Sequence, residues 1–325
     1  MRSFFRFSSW VLMACCWCWG SAMAADFPTK TVRLVVPFPP GGATDALARL
    51  MAEKLSDKWK QPVIVENKPG ANTAIGTDVV AKAEGDGSVL LMVDRLAVVT
   101  NPLLYSKLPY DWQQDLKPVT DLARVRLFVA ISPALPVANY KEFVAYAKAH
   151  PNAVNVGIAS NGHVNHIGMA MLAASDGMTL TYVPYKGMAP TITGFLGDET
   201  SVLMAGGLVM QQLSKTKSAV KVVAVGGEQR AAFMPNVPTI AEAGGKAGSI
   251  PSTVFSFFAP GKTPNALVMQ IQQAIDTQVT PEFKKSYVER GLEVATTTPE
   301  QMRANLKTES ERYTKLLRDL GIKIE

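Results

Sequence analysis

The sequence predicts an α/β fold with a parallel or mixed sheet in two copies, and three observations predict it. Short runs rich in β-branched residues alternate with amphipathic helical stretches, Gly or Pro marks the junctions, and 325 residues suffice for two domains of ~100–200 residues each. Composition agrees: 47% hydrophobic and 18% charged residues place the chain among globular proteins and exclude disordered, collagenous and coiled-coil classes.

The first 25 residues read as an export signal. Arg2 and Arg6 form a positive n-region, and residues 10–20 are apolar but fall short of the ~20 that span a bilayer. Ala22-Met23-Ala24 then supplies the small-x-small pattern cut by signal peptidase. Cleavage after Ala24 is expected, making 1–24 the signal peptide and the mature chain periplasmic. Cys15, Cys16 and Cys18 would leave with it, which excludes a disulfide framework, a cysteine nucleophile and a thiolate metal site from the mature protein. A competing reading takes Leu12-Met13-Ala14-Cys15 as a lipobox with Cys15 as an acylated N-terminus. No later stretch reaches ~18 uninterrupted apolar residues.

Residues 32–38 form a nearly continuous apolar strand broken by Pro37, Pro39, Gly41 and Gly42. Leu47, Leu50, Met51 and Leu55 then recur at helical spacing, and Thr44 or Asp45 is expected to cap that helix. Residues 62–66 and 89–93 read as strands, and 140–150 as a helix ended by Pro151. Strands follow at 155–159, 180–185, 201–205 and 220–225, with helices around 166–174, 190–196 and 208–213 between them. From Pro264 the pattern turns to helix after helix, at 264–277, 281–291 and 299–320, with Gly321 as a C-cap. These late helices need a sheet to cover. The chain is therefore expected to cross to a second domain near 119–126 and return near 249–258, giving 25–124 with 250–325 as one domain and 125–249 as the other.

Catalytic constellations are absent from the sequence. The mature chain has only His150, His163 and His166; the last two lie three apart, but no third ligand completes a metal site. There is no Gly-x-Ser-x-Gly elbow, Ser-x-x-Lys, Walker loop or His-Glu-x-x-His, and no cofactor is expected. Acid pairs such as Asp111 with Asp115 or Asp86 with Asp94 read as surface carboxylates. Formal charge is +6, reduced by two when Arg2 and Arg6 are removed, and the cations are dispersed, so nucleic acid is not an expected partner.

Three Gly- and polar-rich loops at strand C-termini stand out. They are Pro37-Phe38-Pro39-Pro40-Gly41-Gly42-Ala43-Thr44-Asp45, Pro69-Gly70-Ala71-Asn72-Thr73-Ala74-Ile75-Gly76 and Ala159-Ser160-Asn161-Gly162-His163-Val164-Asn165-His166, each leading into a helix. Ligands of open α/β sheets sit at strand C-termini, and helix N-termini offer free N–H groups and about half a positive charge. Loops of this kind facing each other across a cleft suit a ligand with two anionic ends. Each loop alone is also an ordinary strand-to-helix turn needing Gly at positive φ.

Seven segments carry a resemblance. They are 37–45, Glu66-Asn67-Lys68-Pro69-Gly70-Ala71, Asn101-Pro102-Leu103-Leu104-Tyr105, Leu108-Pro109-Tyr110-Asp111, Val183-Pro184-Tyr185-Lys186-Gly187 with Ala189-Pro190, Pro235-Asn236-Val237-Pro238-Thr239 with Glu242-Ala243-Gly244, and Ala259-Pro260-Gly261-Lys262-Thr263-Pro264. In that order they resemble the Bug family, the periplasmic substrate-binding proteins of tripartite tricarboxylate transporters. Each motif is weak alone; together they span nearly the whole mature chain. The resemblance implies a type II periplasmic-binding-protein fold of two α/β domains hinged around a ligand cleft, and a loop at 38–45 that faces the loop at 160–166 across a small organic acid. It implies a receptor rather than an enzyme, a monomer that delivers its ligand to membrane subunits of the transporter. A ligand-sensing receptor for a signalling partner would share the same site, and an exported enzyme would have Asp94, His163 and Tyr185 as its only actors.

On this reading backbone amides of Gly41, Gly42, Ala43 and Thr44, in the loop with Pro40 and Asp45, hold one carboxylate. Ser160, Asn161 and His163 hold the other end, Phe38 packs on the apolar body and Tyr185 lines the floor. Asn72, Thr73 and Asp94 tune specificity. The sequence departs from the family at three places. Asn72-Thr73-Ala74 replaces Gly-Gly-Asn, Val93-Asp94 replaces Gly-Thr, and Ala205 followed by Gly206 stands where the family has an Asp. Asp94 either accepts a ligand amino group or pairs with Arg95. An amino acid, an aromatic acid or a neutral amide therefore stands beside a plain dicarboxylate as a ligand.

Overall fold

A computed structural model describes residues 27–215, 220–288 and 291–321; the expected leader, its cleavage site and Cys15 lie outside the described residues. The chain opens with β1 (Val32–Val36), α1 (Ala43–Trp59), β2 (Val63–Asn67), α2 (Ala74–Ala81), β3 (Val89–Asp94), α3 (Arg95–Leu104), the single turn α4 (Trp112–Asp115) and β4 (Leu116–Val125). It continues through β5 (Leu127–Ile131), α5 (Tyr140–Ala149), β6 (Asn155–Ile158), α6 (Val164–Asp176), β7 (Thr181–Pro184), α7 (Met188–Leu196), β8 (Val202–Gly206), α8 (Gly207–Ser214) and β9 (Lys221–Val225). It closes with β10 (Thr253–Pro260), α9 (Asn265–Asp276), α10 (Pro281–Val288), β11 (Leu292–Val294) and α11 (Pro299–Leu320). Thr298 and Gln301 form a capping box at the start of α11, and Gly321 ends it at φ 64°.

Two mixed sheets result, in the orders β11-β4-β10-β3-β1-β2 and β7-β6-β8-β5-β9. In the first, β1 runs parallel to β2 and β3, whereas β10 is antiparallel to both β3 and β4. In the second, β6 runs parallel to β7 and β8, whereas β5 is antiparallel to β8 and β9. The segments near the expected crossings, 119–126 and 249–258, are mostly strand: β4 and β10 pair from Thr253↔Val125 to Pro260↔Leu116. Their sequences alternate poorly because both faces are covered; every residue of β10 is buried. The chain passes between the sheets at Arg126, which joins β4 to β5. That guanidinium reaches Glu293 of β11 at 2.5 Å and also donates to the carbonyl of Gln229.

Each sheet is covered on both faces. On the first, α1, α9 and α10 bring Leu47, Met51, Ile271 and Phe283 onto Leu34, Met92 and Phe257. Opposite them, α2, α3 and α11 bring Val80, Val98, Met302 and Tyr313 onto Val35, Leu91 and Phe258. On the second, Phe143 of α5 and Leu172 of α6 face Val129 and Val156, and Phe195 of α7 and Met210 of α8 face Phe128 and Leu203. One helix joins the halves: Ile167 and Met171 of α6 pack into the cluster that holds Leu306 and Tyr313 of α11. Phe257 has no exposed surface and lies in the middle of β10. Phe257→Ala should lower the unfolding free energy by ~3–5 kcal/mol, read as a shift in the urea midpoint.

Candidate functional site

The loop between β1 and α1 is fixed by its own side chains. Gly42 is the N-cap of α1 with no side-chain cap, so neither Thr44 nor Asp45 caps the helix as expected. Thr44 is buried, and the Asp45 carboxylate instead accepts from the Gly41 amide at 3.0 Å, Arg49 Nε at 2.9 Å and Asn67 Nδ2 at 2.9 Å. Burial opposes ionisation of Asp45, but Arg49, Gly41 and Asn67 outweigh it and hold the carboxyl below its ordinary range. Asn67, at the end of β2, also donates to the Phe38 carbonyl at 3.1 Å and accepts from Arg49 Nη2 at 3.1 Å. Asp45 thus clamps the loop, and Gly41 turns it at φ 87°. Pro40, Gly41 and Gly42 remain exposed at its tip, and the first-turn amides of α1 have no intrahelical partner.

The second loop is held against its own backbone preference. Ala71, Asn72 and Thr73 take φ of 45°, 45° and 76°, a left-handed run that costs roughly 1–2 kcal/mol per residue without glycine. Asn101 of α3, with no exposed surface, secures it: its Nδ2 donates to the Asn72 carbonyl at 2.8 Å, and its Oδ1 accepts from Asn72 Nδ2 at 2.9 Å. The same Asn72 Nδ2 lies 3.3 Å from the carbonyl of Gly162, so the second and third loops meet directly.

In the third loop Gly162 turns at φ 73° and His163 is the N-cap of α6, its Nδ1 lying 2.7 Å from Asn165 Oδ1. His166 Nδ1 accepts from the Gly162 amide at 3.1 Å, and its ring meets Tyr182 edge-on. Burial lowers both imidazole pKa values, and that of His166, further opposed by His163, falls to about 4. No third His, Cys, Asp or Glu joins them to hold a metal among the described residues.

These loops enclose a cavity of about 10 Å³, room for one water-sized group, lined by Phe38, Asn72, Thr73, Asp94, Gly162 and His163 together with Leu96, Ala97, Thr100 and Val164. The first sheet's loops and α3 supply one wall, and the start of α6 supplies the other. Asp94 is buried, ends β3 and caps α3 by accepting from the Leu96 amide at 3.0 Å. It does not pair with Arg95. That guanidinium turns away to two other carboxylates, those of Glu309 at 2.8 and 2.7 Å and of Asp121, while Asp94 is occupied by the cap.

Other expected site residues lie beside this cavity rather than on it. Ser160 is half-buried and Asn161 exposed in the turn before α6. Tyr185 donates its hydroxyl to Glu199 at 2.8 Å and its ring packs over Gly194 of α7, while Gly206 is the N-cap of α8. Sequence reasoning passed over Leu96, Ala97, Thr100 and Val164, and the positioning pair Asn67 and Asn101. Both asparagines stood inside quoted motifs, which was the available signal.

Two mixed α/β sheets joined through β4 and β10, with loops from both meeting over one small polar cavity, define a cleft-type solute receptor. The family model of the tripartite tricarboxylate transporter family receptor matches residues 47–322, and the chain belongs to that family. Protein BugT of Bordetella pertussis is 29% identical over 312 residues, covering 94% of each chain. Among solved structures, R. palustris Rpa4515 with adipate is 29% identical with a TM-score of 0.86, covering 92% of this chain and all of that one. MatC from Rhodopseudomonas palustris with bound malate is 25% identical with a TM-score of 0.78, covering 90% of this chain and all of that one. The family consists of periplasmic solute-binding receptors, not enzymes.

Burial pushes the Asp94 carboxyl up to about 7 against the Leu96 amide, so folding favours its neutral form; that contribution is complete below the ordinary carboxyl range and is lost as pH rises through 7. Folding favours neutral His163 and His166 as well, and their contribution is lost as pH falls toward about 4. The two slopes oppose each other. Asp94→Asn removes the opposing slope and leaves that of the histidines, so its urea midpoint should rise more steeply than wild type between about pH 4 and 6.5, with a gain over wild type of roughly 1–3 kcal/mol by pH 8.

Proposed function

We propose that the chain captures a small organic acid between its two sheets and presents the closed form to the membrane subunits of a tripartite tricarboxylate transporter, acting in the periplasm after cleavage following Ala24. The observation that carries this reading is the contact of Asn72 with the Gly162 carbonyl, which ties loops of the two sheets together over the cavity. A ligand that binds the closed arrangement better than the open one shifts the population toward it. The adipate and malate of the similar structures support an acid as that ligand.

Residues 25–124 with 250–325 and residues 125–249 move as two bodies about Arg126 and the return into β10. Amides of Gly41 to Thr44 receive one carboxylate through the helix dipole and unpaired N–H groups, with no ligand-facing arginine required. Ser160, Asn161 and His163 receive the other end, Phe38 covers the apolar body, and Asn72, Thr73 and Asp94 set specificity. Tyr185 and Gly206 line the outer part of the opened cleft. The protein acts as a monomer without catalysis; the Tyr185 hydroxyl is spent on Glu199 and does not line the cavity with Asp94 and His163.

Refolded, ligand-stripped mature protein should show a selective thermal shift with one class of acids in a panel of mono-, di- and tricarboxylates and amino acids. A ligand at ~100-fold excess over Kd adds ~2.7 kcal/mol to stability, and it should be recovered chemically unchanged. A panel without any shift, or conversion of the ligand, would sink this reading. Asn72→Ala should weaken whichever acid binds by roughly 2- to 10-fold, measured by calorimetry, because one neutral hydrogen bond of the closed state is lost.

A further inference from the structure

We propose that Asp94 selects a ligand bearing a primary ammonium group beside its carboxylate, an amino acid rather than a plain di- or tricarboxylate. This narrows the ligand class of the receptor reading above and rests on it. The carboxyl of Asp94 is 6% exposed and lines the cavity on which both halves converge. Around it lies a buried cluster with an excess of negative charge. The guanidinium of Arg95 is the one cation there among the described residues, and it is spent on Asp121 and Glu309. The Asp121 carboxylate also accepts from Ser256 Oγ at 2.6 Å, which holds it in place. Asp94 forms no ion pair among the described residues, and the repulsion of Glu309 on it exceeds the attraction of Arg95.

Nothing else lining the cavity supplies a positive charge. His163 is held neutral by burial, and the remaining side chains are Phe38, Asn72, Thr73, Leu96, Ala97, Thr100 and Val164. A second ligand carboxylate brought against Asp94 finds no cation in a poorly solvated site and is tolerated only while Asp94 keeps its proton, whereas an ammonium there favours the ionised carboxylate. An ammonium meets the one buried carboxylate that lacks a cation, at a position where the resemblance expects Gly-Thr. The bland role of Asp94 is structural: it caps α3 by accepting from the Leu96 amide, a cap asparagine also provides, and the Val254 amide acts on the same carboxyl. Asp94→Asn therefore removes the charge while keeping the cap.

The test is calorimetry on stripped wild-type and Asp94→Asn protein with matched acids that differ only by an amino group: succinate and aspartate, glutarate and glutamate, butyrate and 4-aminobutyrate. Wild type should bind the amino member of at least one pair about tenfold or more tightly than its partner, the worth of one charge-assisted hydrogen bond. Asp94→Asn should abolish or invert that preference while still binding the amine-free member. Equal or tighter binding of the amine-free member by wild type, or an unchanged preference in Asp94→Asn, overturns the inference and leaves the receptor reading standing. If none of these acids nor any other carboxylate binds wild type, the receptor reading falls and this inference with it.

Discussion

The two strands that carry the chain between its halves lie side by side, and much of the architecture follows from that pairing. β4 leaves the first sheet for the second through Arg126, and β10 returns antiparallel to β4 along its whole length. Because β10 follows β9 along the chain, the first sheet receives its central strand only after the strands of the second have been passed. Its helices α9, α10 and α11 therefore come last in the chain and cover both faces. The chain thus passes between the sheets twice, at Arg126 and again on the way from β9 to β10, and Arg126 is tethered to Glu293 on one side and to the Gln229 carbonyl on the other.

The cavity sits where three constraints converge. Asp45 and Asn67 lock the first loop from below, so its glycines and first-turn amides stay presented. Asn101 holds three consecutive left-handed residues in the second loop, strain that isolated Ala-Asn-Thr would relieve. The third loop is turned by Gly162 and fastened by His166 and Asn165. Polar side chains that a sequence reading assigns to ligand thus spend themselves on backbone, and they fix the geometry in which a few others face the cavity.

The arginine beside Asp94 shows how far local order can mislead. Adjacent residues of opposite charge suggest a pair, but at a strand-to-helix junction their side chains diverge. Arg95 is drawn across α3 to Glu309, more than two hundred residues later in the chain, while Asp94 turns to the helix start. Burial of the cluster makes that choice costly to reverse, because any unpaired member is a charge held out of water.

Sequence alone determined the α/β rhythm, most strands to within a residue or two, the late helices, the three turn-bearing loops and the resemblance that fits the family match. These are legible because hydrophobic period, proline, glycine and capping residues act over a few neighbours. It missed β4, β5, β10, α3 and β11: strands buried on both faces lose the alternation that marks them, and Pro102 inside α3 looks like a break. Tertiary structure decided which loop residues meet over the cavity. Phe38, Asn72, Thr73, Asp94 and His163 converge there, whereas Asp45 turns inward to its loop and Tyr185 to Glu199. Those outcomes depend on partners such as Asn67, Asn101, Glu199 and Glu309, which lie about 14 to more than 200 positions away and which only packing of the sheets brings within hydrogen-bond reach.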